Sequence, residues 1–274
     1  MQKIFITGAG GFIGRHLLEL LLTRNKELIV LMMPGEPIPP LWGDRVQVVT
    51  GDIRELDKYS VQIGKFDTLF HLAAVVSDWG ARQEHIDITV NGTKNAIQLA
   101  LKNKAKFVVT TSIAAFASTL GSGRLDENSP LGKPSSNYEY VKQLQEKVTL
   151  EAVKNDNLKA VIIRPANVYG VGSVWVDRFI KKLSNKEPSL IGDGNRDAGL
   201  VHVKNLVGGM ILAAENRDIR SGEIFLLSDN QDKTWKEYVE ILANNLNLPK
   251  PKSIPKFIAR LAAPILEFFG HIIN

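Results

Sequence analysis

Short apolar runs recur along the first part of the 274-residue chain, each bounded by polar or turn-forming residues. They are four or five residues long and do not alternate between apolar and polar positions, which is typical of strands buried on both faces of a sheet. Helical patterns, in which leucine and alanine recur on one face, separate most of them. The predicted strands cover residues 4–7, 28–31, 46–49, 68–71, 106–110 and 160–164.

This alternation predicts an α/β fold, in which a doubly wound parallel sheet of the Rossmann type is covered by helices on both faces. After about residue 165 the pattern becomes more mixed. The predicted elements there are a helix over 174–182, a loop over 191–194, a strand over 200–203, a helix through 211, a strand over 223–227 and helices near 235–246 and 255–269. We therefore expect a first domain over 1–165, with return elements near 200–227, and a smaller interleaved C-terminal portion over 166–274.

Charge and composition narrow the function classes. The 34 basic and 29 acidic residues give a net charge of +5 and are interspersed, so we expect no nucleic-acid interface. The chain has no cysteine, which excludes disulfides and thiolate zinc sites and fits a reducing cytoplasm. The five histidines show no ligand spacing, so no metal site is expected. Strand-like residues begin at Lys3 with no secretion signal ahead of them, which also favours the cytoplasm.

The C-terminal stretch over 257–269 is apolar, but Arg260, Pro264 and Glu267 interrupt it. It is too short and too interrupted to cross a bilayer, so we expect no membrane-spanning segment. We expect a helix packed on the body of the protein, with contact to a membrane surface or a partner as the alternative.

A glycine pattern follows the first predicted strand and opens the first predicted helix, with Gly8, Gly11 and Gly14 as its members. Glycines in this context let the backbone turn tightly and approach a pyrophosphate, whose charge the helix N-terminus favours. The pattern therefore predicts a dinucleotide site.

The end of the second predicted strand lacks the carboxylate that usually binds the adenosine ribose hydroxyls of NAD. The stretch after Leu31 reads Met32-Met33-Pro34, with no acid before Glu36. No arginine stands at Met32 or Met33 to bind the 2′-phosphate of NADP either. Because a 2′-phosphate would at least meet no repulsion there, the sequence slightly favours NADP over NAD.

Tyr138 and Lys142 are four residues apart, and none of the other four tyrosines has a lysine at that spacing. On a helix these two positions lie on the same face, so the ammonium can sit beside the phenol and favour the phenolate. We expect the pair to serve as a proton-transfer device.

These features belong to a longer ordered set of motifs. The set is Thr7-Gly8-x-x-Gly11-x-x-Gly14, Gly51-Asp52-Ile53-Arg54, His71-Leu72-Ala73-Ala74, Asn91-x-Thr93, Thr111-Ser112, Tyr138-x-x-x-Lys142 and Arg164-Pro165-x-Asn167-x-Tyr169-Gly170. In this order and spacing the chain resembles, over essentially its whole length, an extended short-chain dehydrogenase/reductase of the NAD(P)-dependent epimerase/dehydratase superfamily.

The resemblance implies an NAD(P)-binding domain over 1–165 and a mainly substrate-binding portion over 166–274. It implies that Tyr138 is the general acid/base, that Lys142 favours the phenolate and binds the nicotinamide ribose, and that Ser112 orients the substrate oxygen. The implied cofactor-binding residues are Gly8, Gly11, Phe12, Ile13, Gly14, Asp52, Ile53, Leu72, Ala73, Ala74, Tyr138, Lys142, Pro165 and Asn167. The implied substrate-binding residues are Trp79, Ile113 and Asn167. A homodimer through helices near 90–103 and 136–155 is also implied.

The branch of the superfamily is a separate question. Nucleotide-sugar epimerases and dehydratases carry an Arg-Asp pair that supports an arginine clamp on the diphosphate, and the corresponding positions here are Ala198 and Gly199. A diphosphate needs charge-assisted donors, so this difference argues against a nucleotide sugar. The stretches Ser77-Asp78-Trp79-Gly80 and Ser112-Ile113 instead resemble the branch of 3β-hydroxysteroid dehydrogenases and dihydroflavonol reductases.

We therefore expect an oxidoreductase that acts on a secondary alcohol or ketone of a small apolar, sterol-like or ketoacid-like substrate. A nucleotide-sugar epimerase or dehydratase is one alternative, and a non-catalytic dinucleotide-sensing protein is the other. Several apolar residues are candidates either for the substrate pocket or for the core, namely Trp79, Phe116, Val171, Trp175 and Phe179.

Overall fold

The computed structural model describes residues 1–77, 79–259 and 261. Within this part of the chain the strands are β1 (Lys3–Thr7), β2 (Glu27–Met32), β3 (Val46–Thr50), β4 (Thr68–His71), β5 (Lys106–Thr110), β6 (Ala160–Pro165), β7 (Asn167–Tyr169), β8 (Pro188–Ile191), β9 (Leu200–His202), β10 (Glu223–Leu227) and β11 (Lys252–Ile254). The α-helices are α1 (Phe12–Leu22), α2 (Ser60–Ile63), α3 (Arg82–His85), α4 (Gly92–Asn103), α5 (Asn137–Asp156), α6 (Val174–Ser184), α7 (Val203–Glu215) and α8 (Trp235–Asn245). Three 3₁₀ segments lie at Pro40–Arg45, Ile53–Tyr59 and Ile113–Thr119, and a π-helix lies at Ile86–Asn91.

The chain divides into two compact units. The first contains Met1–Ala166 and Val203–Leu227, and the second contains Asn167–His202 together with the chain from Ser228 onward. The two segments of each unit are therefore interleaved along the sequence.

A seven-stranded sheet forms the centre of the first unit, with the strand order β10-β6-β5-β4-β1-β2-β3. Every neighbouring pair runs parallel. The predicted doubly wound parallel sheet is thus confirmed. The order reverses between β1 and β4, and in open sheets of this kind the ligand crevice lies at the carboxyl ends of such strands.

The strands of the sheet are buried on both faces, which explains why their sequences do not alternate. Ile4, Phe5 and Ile6 of β1 are all fully buried, as are the apolar residues of β5. On one face Phe5 and Phe107 pack in a cluster with Ala96 of α4. Burying one large apolar side chain contributes about 1.5–3 kcal/mol, so this core holds the carboxyl ends of β1 and β4 in place.

The second unit is built on two short parallel strand pairs, β7 with β9 and β8 with β11. Its core contains Leu183, Leu190, Ala198 and Val239. The strand predicted over 200–203 ends one residue earlier than expected, because Val203 already begins α7. Residues 256–259 are helical. The rest of the helix predicted near 255–269 lies almost entirely outside the described residues, and so does the alternative contact with a membrane surface or a partner that was predicted for it.

Candidate active site

The glycine turn joins β1 to α1 at the point where the strand order reverses. Gly8 has a φ of +73°, and a Cβ added there would come 2.7 Å from the backbone nitrogen of Ala73, which follows β4. A Cβ on Gly14 would overlap the carbonyl oxygen of Gly8. Only glycine therefore permits this close approach of the turn to the β4 end and to the first turn of α1.

The start of α1 suits an anionic group. Gly11 caps the helix without any side-chain hydrogen bond to the first turn, and that turn contains no acidic residue. The N–H groups of the first turn have no partner within the helix, and together with the helix dipole they favour a phosphate. The turn and helix present in this chain thus fit the pyrophosphate of a dinucleotide.

A carboxylate follows the end of β3, at the same edge of the sheet as the glycine turn. Asp52 follows this strand and caps the 3₁₀ segment by accepting a hydrogen bond from the Arg54 backbone N–H at 2.8 Å. Hydrogen bonding to the Arg54 guanidinium, 2.5 Å away, lowers the pKa of Asp52. Ile53 is buried, and its side chain packs beneath Gly92 at the start of α4.

Tyr138 and Lys142 lie in the first turns of α5. The helix begins with a capping box in which Ser136 and Glu139 satisfy each other's backbone N–H groups. The Lys142 Nζ lies 5.7 Å from the centroid of the Tyr138 ring. The lysine side chain is only 2% exposed, and burial lowers its pKa to about 7, against the opposing effect of the nearby Glu146 carboxylate.

The amine of Lys142 is tied to the strand end that carries Ser112. Its Nζ donates to the Thr110 carbonyl at 3.2 Å and to Gln145 Oε1 at 2.9 Å. Two residues beyond Thr110, Ser112 accepts a hydrogen bond from the Ala114 N–H at 3.0 Å and so begins the next 3₁₀ segment. This segment packs against α5, so the fold brings the neighbourhoods of Ser112, Tyr138 and Lys142 together.

A buried chain of hydrogen bonds runs from the glycine turn to the lysine. Thr93 Oγ1 donates to a backbone carbonyl at 2.6 Å, so it accepts from His71 Nε2 at 2.9 Å and from the Gln145 amide at 3.0 Å. This assigns the proton of His71 to Nε2, and its Nδ1 then accepts from the Thr7 hydroxyl at 2.8 Å. Burial, assisted by the charge of Lys142, lowers the pKa of His71 to about 3, so the ring is neutral.

A second buried polar group supports the same helix. Arg164 on β6 pairs with Glu146 on α5 at 2.7 Å, and both side chains are less than 5% exposed. The Thr111 hydroxyl also donates to Glu146 at 2.8 Å, and the guanidinium lies 4.9 Å from the Phe116 ring centroid. The pair therefore fixes α5 against the sheet next to the lysine.

A sequence profile of the NAD-dependent epimerase/dehydratase family matches residues 4–228. The chain belongs to this family. It is accordingly an NAD(P)-dependent enzyme, as the motifs predicted.

Relatives of this epimerase/dehydratase family member include enzymes with quite different substrates. It is 26% identical over 97% of its length to a 4-hydroxy-2-methyl-3-oxo-4-farnesyl-3,4-dihydroquinoline-1-oxide ketoreductase of Stigmatella aurantiaca, of which 80% is covered. It is also 26% identical to a 3-beta-hydroxysteroid dehydrogenase of Mycolicibacterium neoaurum, with 91% of this chain and 72% of the relative covered. A UDP-glucuronic acid 4-epimerase of Bacillus cereus, solved with NAD, shares the fold with a TM-score of 0.81 and 23% identity over 93% of this chain and 86% of its own.

The predicted substrate-binding residues of the epimerase/dehydratase are divided between the two units. Trp79 is 42% exposed and Ile113 is half-buried, both in the first unit. Asn167 belongs to the second unit, where its amide donates to the Ala198 carbonyl at 2.7 Å. Of the two alternatives for Phe116, pocket or core, the structure favours the core, because this side chain is fully buried beside the Arg164 guanidinium.

Aromatic side chains gather in the second unit. The Trp175 ring contacts those of Phe179, Trp235 and Tyr238 at centroid distances of 6.0, 5.6 and 5.5 Å. Burial raises the pKa of Tyr238 to about 12, so its phenol stays protonated. Trp175 and Phe179 thus belong to one apolar cluster, whereas Val171 is 87% exposed.

Neither a membrane-spanning helix nor a metal-binding cluster is present among the residues that the structure describes. No helix there is both long enough and apolar enough to cross a membrane. No group of three or more His, Asp or Glu side chains in the same residues is arranged to hold a metal ion.

The sequence predicted no role for three residues that lie near the site, namely Thr93, Gln145 and Glu36. Gln145 and Thr93 form the hydrogen-bond chain between His71 and Lys142. The spacing of residues along the sequence does not predict these contacts, because they join three separate elements. Glu36 lies against the glycine turn. The sequence feature that could have predicted this position is the Pro34-Gly35 pair, which is typical of a tight turn.

Proposed function

We propose that this enzyme interconverts a secondary alcohol and a ketone on an apolar substrate, with net oxidation or reduction of a nicotinamide dinucleotide. The observation that carries the proposal is the buried amine of Lys142, held over the Tyr138 ring by the Thr110 carbonyl and Gln145. A buried base with a pKa near neutrality, beside a phenol, is suited to proton transfer.

The cofactor would be held by the residues around the strand switch. The N–H groups at Gly11, Phe12, Ile13 and Gly14, with the space opened by Gly8, would bind the pyrophosphate. Other members of the proposed set are Asp52, Ile53, Leu72, Ala73, Ala74, Tyr138, Lys142, Pro165 and Asn167. When bound, the nicotinamide ring supplies or accepts the hydride.

The protein's own groups would manage the proton. In the direction of reduction, the Tyr138 hydroxyl donates its proton to the carbonyl oxygen, and the ammonium form of Lys142 stabilises the phenolate that remains. The Ala114 N–H orients the Ser112 oxygen, so that the serine hydroxyl can donate a hydrogen bond to the same substrate oxygen while keeping its proton. In the direction of oxidation, the phenolate accepts the proton of the alcohol.

Ala198 supports the assignment of an apolar substrate. Its side chain is fully buried in the core of the second unit, where an arginine would place an unpaired charge. The arginine clamp expected of a nucleotide-sugar enzyme therefore has no counterpart at this position. The second unit, with its aromatic cluster, would then be the substrate-binding portion, and the ketoreductase and hydroxysteroid dehydrogenase relatives support an apolar substrate.

The test is net turnover. A 3β-hydroxysterol, a β-keto ester and UDP-glucose would each be incubated with the enzyme and either dinucleotide. We expect a change in nicotinamide absorbance with the sterol or the keto ester. Conversion of UDP-glucose to an isomer without any change in absorbance would contradict the proposal and favour the epimerase alternative.

The role of the tyrosine has a matched control on the same helix. Tyr138→Phe should lower kcat by about 10²–10⁴, the usual contribution of a positioned acid or base, while dinucleotide binding persists. Tyr140→Phe removes a hydroxyl two residues away, from a ring that lies 5.1 Å from the Arg82 guanidinium carbon, and should leave kcat close to wild type. Equal rates for wild type and Tyr138→Phe would instead support a dinucleotide-sensing protein.

We also propose a homodimer in the cytoplasm. The absence of cysteine supports that compartment, and α4 and α5 pack together with Leu150 38% exposed on α5. Sedimentation equilibrium of wild type and Leu150→Glu tests the assembly, since a dimer through this face should dissociate in the variant. A monomeric wild type would overturn it, and cell fractionation tests the compartment.

A further inference from the structure

We propose that Glu36 binds the adenosine ribose hydroxyls and thereby makes this enzyme select NAD over NADP. The inference rests on the proposed dinucleotide site at the glycine turn. It replaces the slight preference for NADP expected from the sequence, which depended on the absence of an acid at the end of the second strand.

A tight turn folds Glu36 back to the end of β2. The Glu36 N–H donates to the Met33 carbonyl at 3.1 Å, which closes a four-residue turn. Pro34 occupies its second position, and Gly35, with a φ of +80°, occupies its third. This is the residue pattern of a type II turn, in which the third position needs a positive φ.

The side chain of Glu36 strengthens the same turn. Its Oε2 accepts a hydrogen bond from the Met33 N–H at 3.1 Å. Met33 directly follows β2, so the carboxylate lies at the carboxyl end of this strand although Glu36 is four residues beyond Met32. In dinucleotide-binding sheets this is where the acid that accepts from the ribose hydroxyls is found.

The carboxylate also reaches the glycine turn. A Cβ added to Gly10 would overlap Glu36 Oε1, so the acid lies directly against the turn that would hold the pyrophosphate. Glycine at position 10 leaves the room that the carboxylate occupies. The Glu36 side chain is therefore placed between the strand end and the pyrophosphate site, as a ribose anchor requires.

The charge of Glu36 would decide between the two cofactors. A carboxylate accepts hydrogen bonds from the 2′- and 3′-hydroxyls of NAD. It repels the 2′-phosphate of NADP, and Oε1, unlike Oε2, is not used by the turn. The residues beside it, Met33 and Pro34, offer no cation to compensate the phosphate.

The test is a comparison of equilibrium dissociation constants for NADH and NADPH, measured with wild type, Glu36→Gln and Glu151→Gln. The glutamine at position 36 can still accept from the Met33 N–H, so the turn should persist, which thermal unfolding followed by circular dichroism would check. Glu151→Gln removes the same charge from an exposed position on α5.

We expect wild type and Glu151→Gln to bind NADH at least about tenfold more tightly than NADPH, and Glu36→Gln to reduce this ratio by about tenfold or more. Equal or tighter binding of NADPH by wild type would overturn the inference, as would an unchanged ratio in Glu36→Gln. If wild type bound neither dinucleotide, the proposed dinucleotide site itself would fail, and the role of Glu36 with it.

Discussion

Replacement of Lys142 by methionine should change how the stability of the protein depends on pH. In the folded protein burial lowers the pKa of this lysine from 10.5 to about 7. Between these two pH values the unfolded chain binds a proton that the folded protein does not hold. The free energy of unfolding must therefore rise with pH across this window, and the rise should disappear in Lys142→Met.

The size of the effect follows from the same two pKa values. Below pH 7 the folded protein carries the full cost of a buried ammonium, about 5 kcal/mol at most, since one pKa unit corresponds to roughly 1.4 kcal/mol. Between about pH 6 and pH 9 the stability of wild type should gain about 2–3 kcal/mol over that of Lys142→Met. Methionine also leaves the Thr110 carbonyl and Gln145 Oε1 without their donor, a cost of about 1–3 kcal/mol for each group that does not change with pH.

Urea denaturation at several pH values, without dinucleotide, measures this difference, because a ligand that binds only the folded state would add its own stability. Lys147→Met is the matched control, since it removes an exposed amine from the same helix. The control should follow the wild-type pH dependence. A difference between wild type and Lys142→Met that stays flat or falls from about pH 6 to pH 9 would refute the reasoning.

Three other changes have defined outcomes. Gly8→Ala should abolish dinucleotide binding, which calorimetric titration measures. It should also lower stability by more than Gly64→Ala, because both glycines have positive φ but a Cβ at Gly64 meets no atom within 4 Å. Urea denaturation measures this second effect. Arg164→Met should cost about 3–5 kcal/mol of unfolding free energy, because its buried carboxylate partner loses its cation, and a loss below about 1 kcal/mol would contradict this. Gln145→Leu should lower kcat and leave dinucleotide affinity near wild type, because Lys142 loses its side-chain acceptor and so holds its proton less well. An unchanged pH–rate profile would argue against this role of Gln145.

The sheet and the glycine turn could be predicted because both depend on local sequence. Strands buried on both faces need continuous apolar runs, and the runs at β1 and β5 are buried as expected. The turn needs glycine where the backbone approaches Ala73, and that requirement is visible as the spacing of Gly8 and Gly14. The pair Tyr138 and Lys142 was visible for the same reason, since a helix converts a spacing of four into one face.

The hydrogen-bond chain around Lys142 could not be predicted in this way. It joins Thr7 at the end of the first strand, His71 at the end of the fourth, Thr93 on α4 and Gln145 on α5. These four residues come together only because β1 and β4 are neighbours in the sheet and α4 packs beside α5. The motif His71-Leu72-Ala73-Ala74 is visible in the sequence, but the partners that keep the His71 ring neutral are not.

Glu36 shows a different limit, because its position along the chain and its position in space disagree. Along an extended backbone, the acid that binds the ribose hydroxyls would stand at Met32 or Met33, and neither is acidic. The turn through Pro34 and Gly35 reverses the chain, so a residue that counts as too late returns to the strand end. The turn, and not the number of residues beyond the strand, therefore determines which side chain reaches the strand end. The expectation of NADP came from the strand register, and the prediction of NAD comes from the turn that follows it.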